Sequence, residues 1–398
     1  MMYDVVVVGG GPTGSTAARY AAAEGARVLL LEEHASIGTP IQCTGLLSVR
    51  ALSQCDIRPD DEFILNSVRG AHVHAPGGTC VPIDGGKTKA YVVSRKMFDR
   101  RLAIMAADQG VDLMVKAKVV GLKTGPVQQE VMVIHNGMRR AIAAKVVIGA
   151  DGVQSTIARM VGLGRVQRIL SGVQVEAPYA SNDNDFVELF VGSCAPGFFS
   201  WTVPISDSIS RIGLAVEPGN EQSAFDYLQT LIRDRQLTGR CDPGFLDHVV
   251  GGIPMGPLAR TYAEGVLIVG DAAGQVKPTS GGGVYPGTLC ARIAGEVAAT
   301  AALEGDVSAP RLCEYDTRWR FSIGRELGIG MKIHDFIARC NDSELDDLLG
   351  SLNNPAIIDL ITEYGDMDHP SILIKKMLNP RYSRHMLGVM RAFARAVL

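Results

Sequence analysis

The chain has 398 residues, of which 46% are hydrophobic and 20% are charged. These fractions are ordinary for a globular enzyme, and the length suits two or three connected domains. A formal net charge of −3 excludes the broad basic surface that nucleic-acid binding requires. The eight cysteines form no CxxC pair and no metal-type spacing, which favours a reducing cytosol over a disulfide framework.

The first elements of the chain are a strand, a turn and a helix. Residues 4–9 form a continuous apolar run, which predicts a central parallel strand buried on both faces. The glycine-rich residues 9–14 predict a turn, and residues 15–24 predict a helix that ends at Gly25. A second strand over residues 26–31 completes a βαβ unit.

Beyond this unit, two kinds of sequence pattern alternate along the chain. Residues 95–109 have helical spacing, and residues 111–120 and 265–269 are typical of strands. Other regions alternate short β-prone stretches with Gly, Pro and Asn/Asp turns, as in an antiparallel sheet. The predicted nucleotide-binding domain is discontinuous and comprises residues 1–65, 91–164 and 256–310. The inserted antiparallel-sheet substrate domain comprises residues 66–90 and 165–255, and residues 311–398 form a C-terminal helical region.

The turn after the first strand carries the strongest single motif. Gly9, Gly11 and Gly14 have the G-x-G-x-x-G spacing, which permits a tight turn, close approach of a pyrophosphate and close packing of helix on strand. Glu32 ends the second strand, where a carboxylate can accept hydrogen bonds from the ribose hydroxyls of an adenosine. The motif predicts dinucleotide binding; the alternative is a purely structural glycine-rich turn.

A second strand-turn-helix motif indicates that the dinucleotide is FAD. In VLIVGDAAGQVKPTSGGGVYPG (266–287), Asp271 closes the strand and can accept a hydrogen bond from a ribityl hydroxyl. The backbone amides of Gly281, Gly282 and Gly283 would face the N1/O2 edge of the isoalloxazine, where they stabilise the negative charge of reduced flavin.

A third element, VVIGADGVQSTIAR, carries Asp151 directly after a predicted strand. Two interpretations of this aspartate stay open. It is a contact to the cofactor, or it belongs to the hydrogen bonding of a strand-to-helix turn.

These three elements, in this order, resemble the flavoproteins shaped like p-hydroxybenzoate hydroxylase, over roughly residues 4–300. Within that superfamily the chain resembles the geranylgeranyl reductase family, which includes the archaeal digeranylgeranylglycerophospholipid reductases. The segments that carry this resemblance are IGTPIQCTGLLS (37–48), YVVSRKMFD (91–99) and PGFFSWTVP (196–204). The resemblance implies an α/β fold with an FAD-binding Rossmann-like domain of the glutathione reductase and p-hydroxybenzoate hydroxylase type.

The resemblance also implies contacts to FAD, residue by residue. At the adenosine half they come from Gly14 and Glu32, with Arg95 at the ribose or pyrophosphate and the Val119 backbone beside the adenine. The residues that would hold the ribityl chain and the ring are Asp271, Gly283, Val284, Cys43 and Thr44.

Four side chains are candidates for chemistry or substrate binding. Cys43 would donate a proton or shape the approach of an alkene to the flavin; the alternative is a packing role. Phe199 and Trp201 would line an apolar channel for an isoprenoid chain, unless they are core aromatics of the sheet. Tyr285 is bulkier than the usual residue after the three glycines and would narrow the pocket.

The activity implied by the resemblance is flavin-dependent saturation of geranylgeranyl double bonds. The substrate would be an unsaturated archaeal ether phospholipid, which becomes the saturated archaeol form, or free geranylgeranyl diphosphate. The alternatives are a flavin monooxygenase or halogenase on the same fold, and a non-catalytic flavoprotein that binds isoprenoid lipid. With no second G-x-G-x-x-G motif for resident NAD(P)H, the expected electron donor is a ferredoxin, a deazaflavin or transiently bound NAD(P)H.

Two features of the chain concern membranes. No run of about 18 apolar residues is present, and the chain enters a strand at once without a signal-peptide pattern, so we expect a cytoplasmic protein. The C-terminal stretch 372–398 is basic and has helical apolar spacing from Met386 to Val397. It would lie on an anionic membrane surface, or else pack on the protein with a solvated basic face.

Overall fold

The structure is a computed structural model that describes residues 2–59, 62–220, 222–234 and 244–377. Within these residues the strands, in chain order, are β1 (Met2–Val8), β2 (Val28–Leu31), β3 (Leu46–Ser48), β4 (Ile64–Val68), β5 (Gly70–His74), β6 (Cys80–Asp84), β7 (Ala90–Val93), β8 (Asp112–Met114), β9 (Ala117–Lys123), β10 (Gln129–His135), β11 (Met138–Gly149), β12 (Arg168–Pro178), β13 (Phe186–Val191), β14 (Phe199–Pro204), β15 (Ile209–Val216), β16 (Asp247–Met255), β17 (Tyr262–Ala263) and β18 (Val266–Ile268).

The helices surround these strands and dominate the last third of the described chain. They are α1 (Pro12–Ala23), α2 (Val49–Gln54), α3 (Arg95–Asp108), α4 (Thr156–Met160), α5 (Ala224–Asp234), α6 (Val284–Glu304), α7 (Ala309–Trp319), α8 (Arg325–Ile337), α9 (Asp342–Leu352), α10 (Pro355–Tyr364) and α11 (Pro370–Met377). A short 3₁₀ helix (Gly270–Ala273) precedes α6, and a π-helical turn (Arg320–Gly324) joins α7 to α8.

The first sheet is built around β1, as the apolar run at the start of the chain predicts. Within the described residues its strands run in the order β17-β18-β11-β1-β2-β8, with β10 and β9 added beside β11. The strands β2, β1, β11 and β18 are parallel neighbours. Val5, Val6 and Val7 are completely buried because apolar layers cover both faces of this sheet.

One face of this sheet is covered by α1, α3 and α6. Helices α1 and α6 approach each other closely where Gly295 faces the backbone of Ala17: an added Cβ on Gly295 would lie 2.5 Å from the Ala17 carbonyl oxygen. The predicted strand over 111–120 is interrupted in the structure. Lys116, with φ of 54°, separates β8 from β9, and β9 then pairs with β10 in the same sheet.

A second sheet forms from β16, β12, β15, β14, β13, β5 and β6, in that order, within the described residues. Its neighbours are antiparallel except for β13 and β5, which pair in parallel. The parallel pair departs from the expected antiparallel sheet because β5 arrives from a distant part of the chain and not from a hairpin. A third, smaller sheet consists of β3, β7 and β4.

The C-terminal helices close the molecule against the second sheet. Leu349 of α9 is buried with Ala75, which directly follows β5, and with Val81 of β6. No helix in the described ranges is long enough and apolar enough to cross a bilayer. The predicted amphipathic stripe from Met386 to Val397 lies outside the described residues.

Candidate active site

The turn between β1 and α1 has the backbone geometry that the glycine spacing predicts. Gly9 adopts φ of 106°, and a Cβ at this position would clash with the carbonyl of Ala150. A Cβ on Gly14 would clash with the carbonyl of Gly9, so this glycine permits the contact between helix and strand. Nothing lies within 4 Å of the Cβ position of Gly11. The turn therefore offers a ligand an open backbone surface at Gly11, beside the N-terminus of α1.

Glu32 lies directly over this turn. Its Oε2 accepts a hydrogen bond of 2.8 Å from the Gly10 backbone N–H, and its Oε1 accepts one of 2.8 Å from the His34 backbone N–H. The side chain is 12% exposed, and the His34 ring lies 2.7 Å from Oε1 through Nδ1. The structure thus brings together the glycine turn and the carboxylate that the sequence separates by more than twenty positions.

The second glycine-rich turn places Asp271 beside the start of α6. A Cβ on Gly283 would lie 2.7 Å from Asp271 Oδ1, so the absence of a side chain there is required. Burial raises the pKa of the Asp271 carboxyl, and the positive charge of Arg95 opposes this rise. Among the described residues none donates a hydrogen bond to the Asp271 carboxylate, which leaves its oxygens available to a ligand hydroxyl.

Arg95 lies near both Asp271 and the loop that carries Cys43. Its Nε and Nη2 donate to the two carboxylate oxygens of Asp99 at 2.9 and 3.0 Å. Burial disfavours the charged guanidinium, but Asp99 and the nearby Cys43 sulfur more than compensate and raise the pKa of Arg95. The Arg95 side chain also lies close to the loop that carries Cys43, since a Cβ on Gly45 would be 3.5 Å from Arg95 Cγ.

The loop that carries Cys43 and Thr44 is held by Arg211, a residue that the sequence analysis missed. Arg211 Nη1 donates to the Thr44 carbonyl at 2.6 Å and to the Val93 carbonyl at 3.1 Å. The backbone N–H of Gly45 donates to the Cys43 sulfur at 3.3 Å. No local signal marks Arg211, because it reaches this loop from β15, more than 160 positions away in the chain.

Cys43 and Thr44 open into a cavity of about 1010 Å³. This volume is at the upper end of the usual range of small-molecule sites. Backbone from the second glycine turn lines the cavity at Gly281 and Gly282. The apolar part of the wall comes from both the second and third sheets and from the C-terminal helices; its side chains include Leu46, Val68, Ala71, Val173, Val187, Leu189, Phe198, Phe199, Trp201, Val203, Ile253, Ile361 and Leu373.

Strand β14 shows how the aromatic signature lines this cavity. Phe199, Trp201 and Val203 alternate along the strand and all line the cavity, as the two-residue period of a strand requires. The Phe199 ring meets the Trp201 ring edge-on, with centroids 5.9 Å apart. Trp201 Nε1 donates to Gln174 Oε1 at 3.0 Å, which fixes the orientation of the indole.

Three other predicted site residues are not among the described residues that line this cavity. Val119 is buried in β9 and pairs with Val133 of β10. Tyr285, in the first turn of α6, is 6% exposed in the core. Its hydroxyl lies 3.0 Å from His369 Nε2, and it is not among the residues that line the cavity in the described chain. Val284 packs against the same core.

Asp151 occupies the N-terminal end of α4. Its Oδ1 accepts a 2.6 Å hydrogen bond from Ser155 Oγ, and its Oδ2 accepts bonds from the Thr156 and Ile157 backbone N–H groups at 2.7 and 3.1 Å. These bonds satisfy the first turn of the helix. Of the two interpretations of Asp151, the geometry favours strand-to-helix turn chemistry.

The residues present fit a bound FAD. The open backbone at Gly11 suits a pyrophosphate, and the Glu32 carboxylate suits a ribose. The Asp271 carboxylate accepts no hydrogen bond from the described part of the chain, which suits a ribityl hydroxyl. A family model described as an FAD binding domain matches residues 2–287. The fold and the site therefore define an FAD-dependent oxidoreductase, which confirms the predicted fold class and cofactor.

Similarity over the full length narrows this class. A digeranylgeranylglycerophospholipid reductase of Methanococcus aeolicus is 36% identical over 88% of this chain and 90% of its own length. Digeranylgeranylglycerophospholipid reductase 2 of Methanothermobacter thermautotrophicus is 37% identical, over 88% and 92% respectively. The crystal structure of a geranylgeranyl bacteriochlorophyll reductase-like protein from Thermoplasma acidophilum covers 98% of this chain and 99% of its own, with a TM-score of 0.85 and 28% identity. The chain belongs to the digeranylgeranylglycerophospholipid reductase family.

Proposed function

We propose that this protein saturates the double bonds of geranylgeranyl chains in an unsaturated archaeal ether phospholipid, as a step of membrane lipid biosynthesis that leads toward archaeol. The observation that carries the proposal is the position of the cavity. Phe199 and Trp201 line the apolar wall of this cavity, and the backbone of Gly281 and Gly282, which we predict to face the flavin, lines the same cavity. The names of the similar proteins indicate the same substrate class.

Bound FAD would supply the hydride equivalents, and the residues around it have separate tasks. We assign Gly11, Gly14 and Glu32 to the adenosine and pyrophosphate half, and Asp271 and Gly283 to the ribityl chain. These assignments are supported by the open backbone of the first turn and by the unpartnered carboxylate of the second, both within the described chain.

The cavity wall would place and isolate the lipid chain. An isolated trisubstituted alkene is a poor hydride acceptor, so it must be held against the flavin with little water present. The apolar side chains of β14 exclude water, and the hydrogen bond between Trp201 and Gln174 fixes the indole that limits where the chain can lie. Cys43 is the proton donor that we propose, since its thiol lines the same cavity.

A mass measurement tests the proposed reaction. Enzyme loaded with FAD and reduced under anaerobic conditions is incubated with digeranylgeranylglycerophospholipid, and the extracted lipid is analysed by mass spectrometry. We expect a gain of two hydrogen atoms for each double bond reduced, and no gain with unreduced enzyme. An unchanged lipid would contradict the proposal, and addition of an oxygen atom when air is admitted would favour the monooxygenase alternative.

We also propose an external electron donor, chosen from a ferredoxin, a deazaflavin and transiently bound NAD(P)H. The support is the sequence, which holds no second G-x-G-x-x-G turn for a resident nicotinamide cofactor. Each donor is mixed anaerobically with the oxidised protein, and the loss of flavin absorbance is followed. The physiological class of donor is the one that bleaches the flavin within the time of a catalytic turnover.

Peripheral contact with a membrane would give the cavity access to lipid. Strand β16 supplies Gly251 and Ile253 to the cavity wall. Leu246, directly before this strand, and Val250, within it, are 59% and 67% exposed. Exposed apolar side chains beside a lipid site are typical of interfacial contact. We expect co-flotation with vesicles that contain anionic lipid, reduced in L246S/V250S; equal flotation of both proteins would contradict a role for this edge.

A further inference from the structure

A buried ion pair lies in the wall of the cavity. Lys277 Nζ is 2.6 Å from Asp368 Oδ1, and the two side chains are 10% and 2% exposed. The second oxygen of Asp368 accepts a hydrogen bond of 2.7 Å from Ser48 Oγ. All three residues line the cavity. Lys277 belongs to the second glycine turn, whereas Asp368 follows α10, so the pair joins two distant parts of the chain.

Lys277 is part of the turn whose backbone is predicted to face the flavin. Its carbonyl accepts the N–H of Gly281 at 2.9 Å, and its own N–H donates to the Gly282 carbonyl at 3.2 Å. A Cβ on Gly282 would lie 2.8 Å from Cε and 3.3 Å from Nζ of Lys277. The ammonium group is therefore packed on the Gly282 peptide, on the cavity side of the turn.

Stability alone is a weak explanation for this pair. The desolvation of two buried charges costs about as much free energy as their attraction contributes. Apolar residues of similar volume often stabilise a fold equally well. A charge in such a place does, however, act strongly on its neighbours, because water does not screen it. Reduction of a flavin by two electrons and one proton leaves one net negative charge at its N1/O2 edge, where protein charges have their largest effect.

We propose that Lys277 and Asp368 together set the reduction potential of the bound flavin. The Lys277 ammonium stabilises the negative charge of the reduced cofactor, and the Asp368 carboxylate limits that stabilisation. Both are positioning residues that act through charge. The inference rests on the proposed position of the ring at Gly281–Gly283. It does not depend on the identity of the lipid.

Opposite charge changes should move the potential in opposite directions. We would measure the flavin midpoint potential of wild type, K277M, D368N and K277R by equilibration with a reference dye, together with the dissociation constant of oxidised FAD. K277M should weaken binding of reduced relative to oxidised FAD at least about tenfold, which lowers the potential by about 30 mV for a two-electron couple. D368N should raise the potential by a similar amount, and K277R, which keeps the charge, should stay close to wild type.

A merely structural pair gives a different result. Loss of packing or of the hydrogen bond to Ser48 would weaken FAD binding in both oxidation states without opposite shifts of the potential. Equal potentials in wild type, K277M and D368N, or shifts of the same sign, would overturn the proposal. Should K277M fail to fold, D368N decides alone: a raised potential supports the inference, and an unchanged or lowered one overturns it. No lipid is present, so this result is independent of the proposed lipid reduction.

Discussion

The Asp271 carboxylate and Gly283 are in such close proximity that a Cβ on Gly283 would lie 2.7 Å from Asp271 Oδ1. Gly283 is the residue before α6, so the carboxylate is next to the N-terminal end of that helix. Burial raises the pKa of Asp271, against the opposing charge of Arg95, and none of the described residues donates to its oxygens. A desolvated carboxylate that accepts no hydrogen bond costs free energy. A hydrogen bond from a ribityl hydroxyl would remove that cost.

Replacement of Asp271 by alanine should therefore weaken FAD binding and leave the fold intact. Hydrogen bonds to charged groups contribute about 1.5–3 kcal/mol, so we expect a loss of affinity of about 10- to 100-fold. Flavin fluorescence titration of the apoprotein measures it, with D306A at an exposed position after α6 as the matched control. A dissociation constant of FAD that is the same in D271A and wild type would show that Asp271 does not hold the cofactor.

The thiol of Cys43 should contribute to the reaction with lipid and not to flavin reduction. General acids contribute about 10²- to 10⁴-fold to rates. In C43A the reoxidation of reduced flavin by lipid should therefore slow at least about 100-fold, while reduction by dithionite keeps its wild-type rate. Stopped-flow absorbance separates the two half-reactions. If the rate of flavin reoxidation by lipid changes less than a few-fold in C43A, Cys43 has a packing role and is not the proton donor.

The indole of Trp201 should affect the lipid and not the cofactor. Burial of a large apolar side chain contributes about 1.5–3 kcal/mol, so W201A should lower kcat/KM for the lipid at least about tenfold. W201F retains an aromatic ring but loses the bond to Gln174, and we expect an intermediate value. The control is F321A, because Phe321 is 91% exposed. Wild-type kinetics in W201A would show that Trp201 does not contribute to lipid binding in the substrate channel.

His334 should make the stability of the protein depend on pH. Burial, and then the charge of Arg168, lower the pKa of His334 below 6.5, although Glu217 and Asp335 oppose the shift. A base whose folded pKa is lowered binds its proton more readily in the unfolded chain. Its contribution is complete above an unfolded pKa of about 6.5 and is lost as pH falls through the folded value.

Urea unfolding at about pH 8 and about pH 5.5 tests this dependence. The free energy of unfolding should fall more between the two pH values for wild type than for H334Q, which lacks the titrating ring. An equal decrease in wild type and H334Q would show that another group is responsible.

The sequence predicted the parts of the fold whose signals are local. The apolar run of β1, the glycine spacing of the first turn and the period of α3 depend on neighbouring residues, and the structure has β1 at Met2–Val8 and α3 at Arg95–Asp108. The alternation in Phe199-Ser-Trp201-Thr-Val203 likewise determines which side chains of β14 share a face.

Contacts between distant segments were not predictable in the same way. Arg211 holds the Thr44 loop from another sheet, and Asp368 reaches Lys277 across 91 positions. Neither contact has a spacing or composition that marks it in the chain. The parallel pairing of β5 with β13 has the same cause, since it depends on where the two segments meet after folding.

The most direct test of lipid reduction is a single anaerobic turnover. Fully reduced enzyme, free of excess reductant, is mixed with digeranylgeranylglycerophospholipid while the flavin absorbance is recorded. The mass of the extracted lipid is then determined by mass spectrometry. We predict that the oxidised flavin spectrum returns and that the lipid gains two hydrogen atoms for each flavin reoxidised. A flavin that stays reduced in the presence of this lipid, and is reoxidised only by oxygen, would contradict the proposed function.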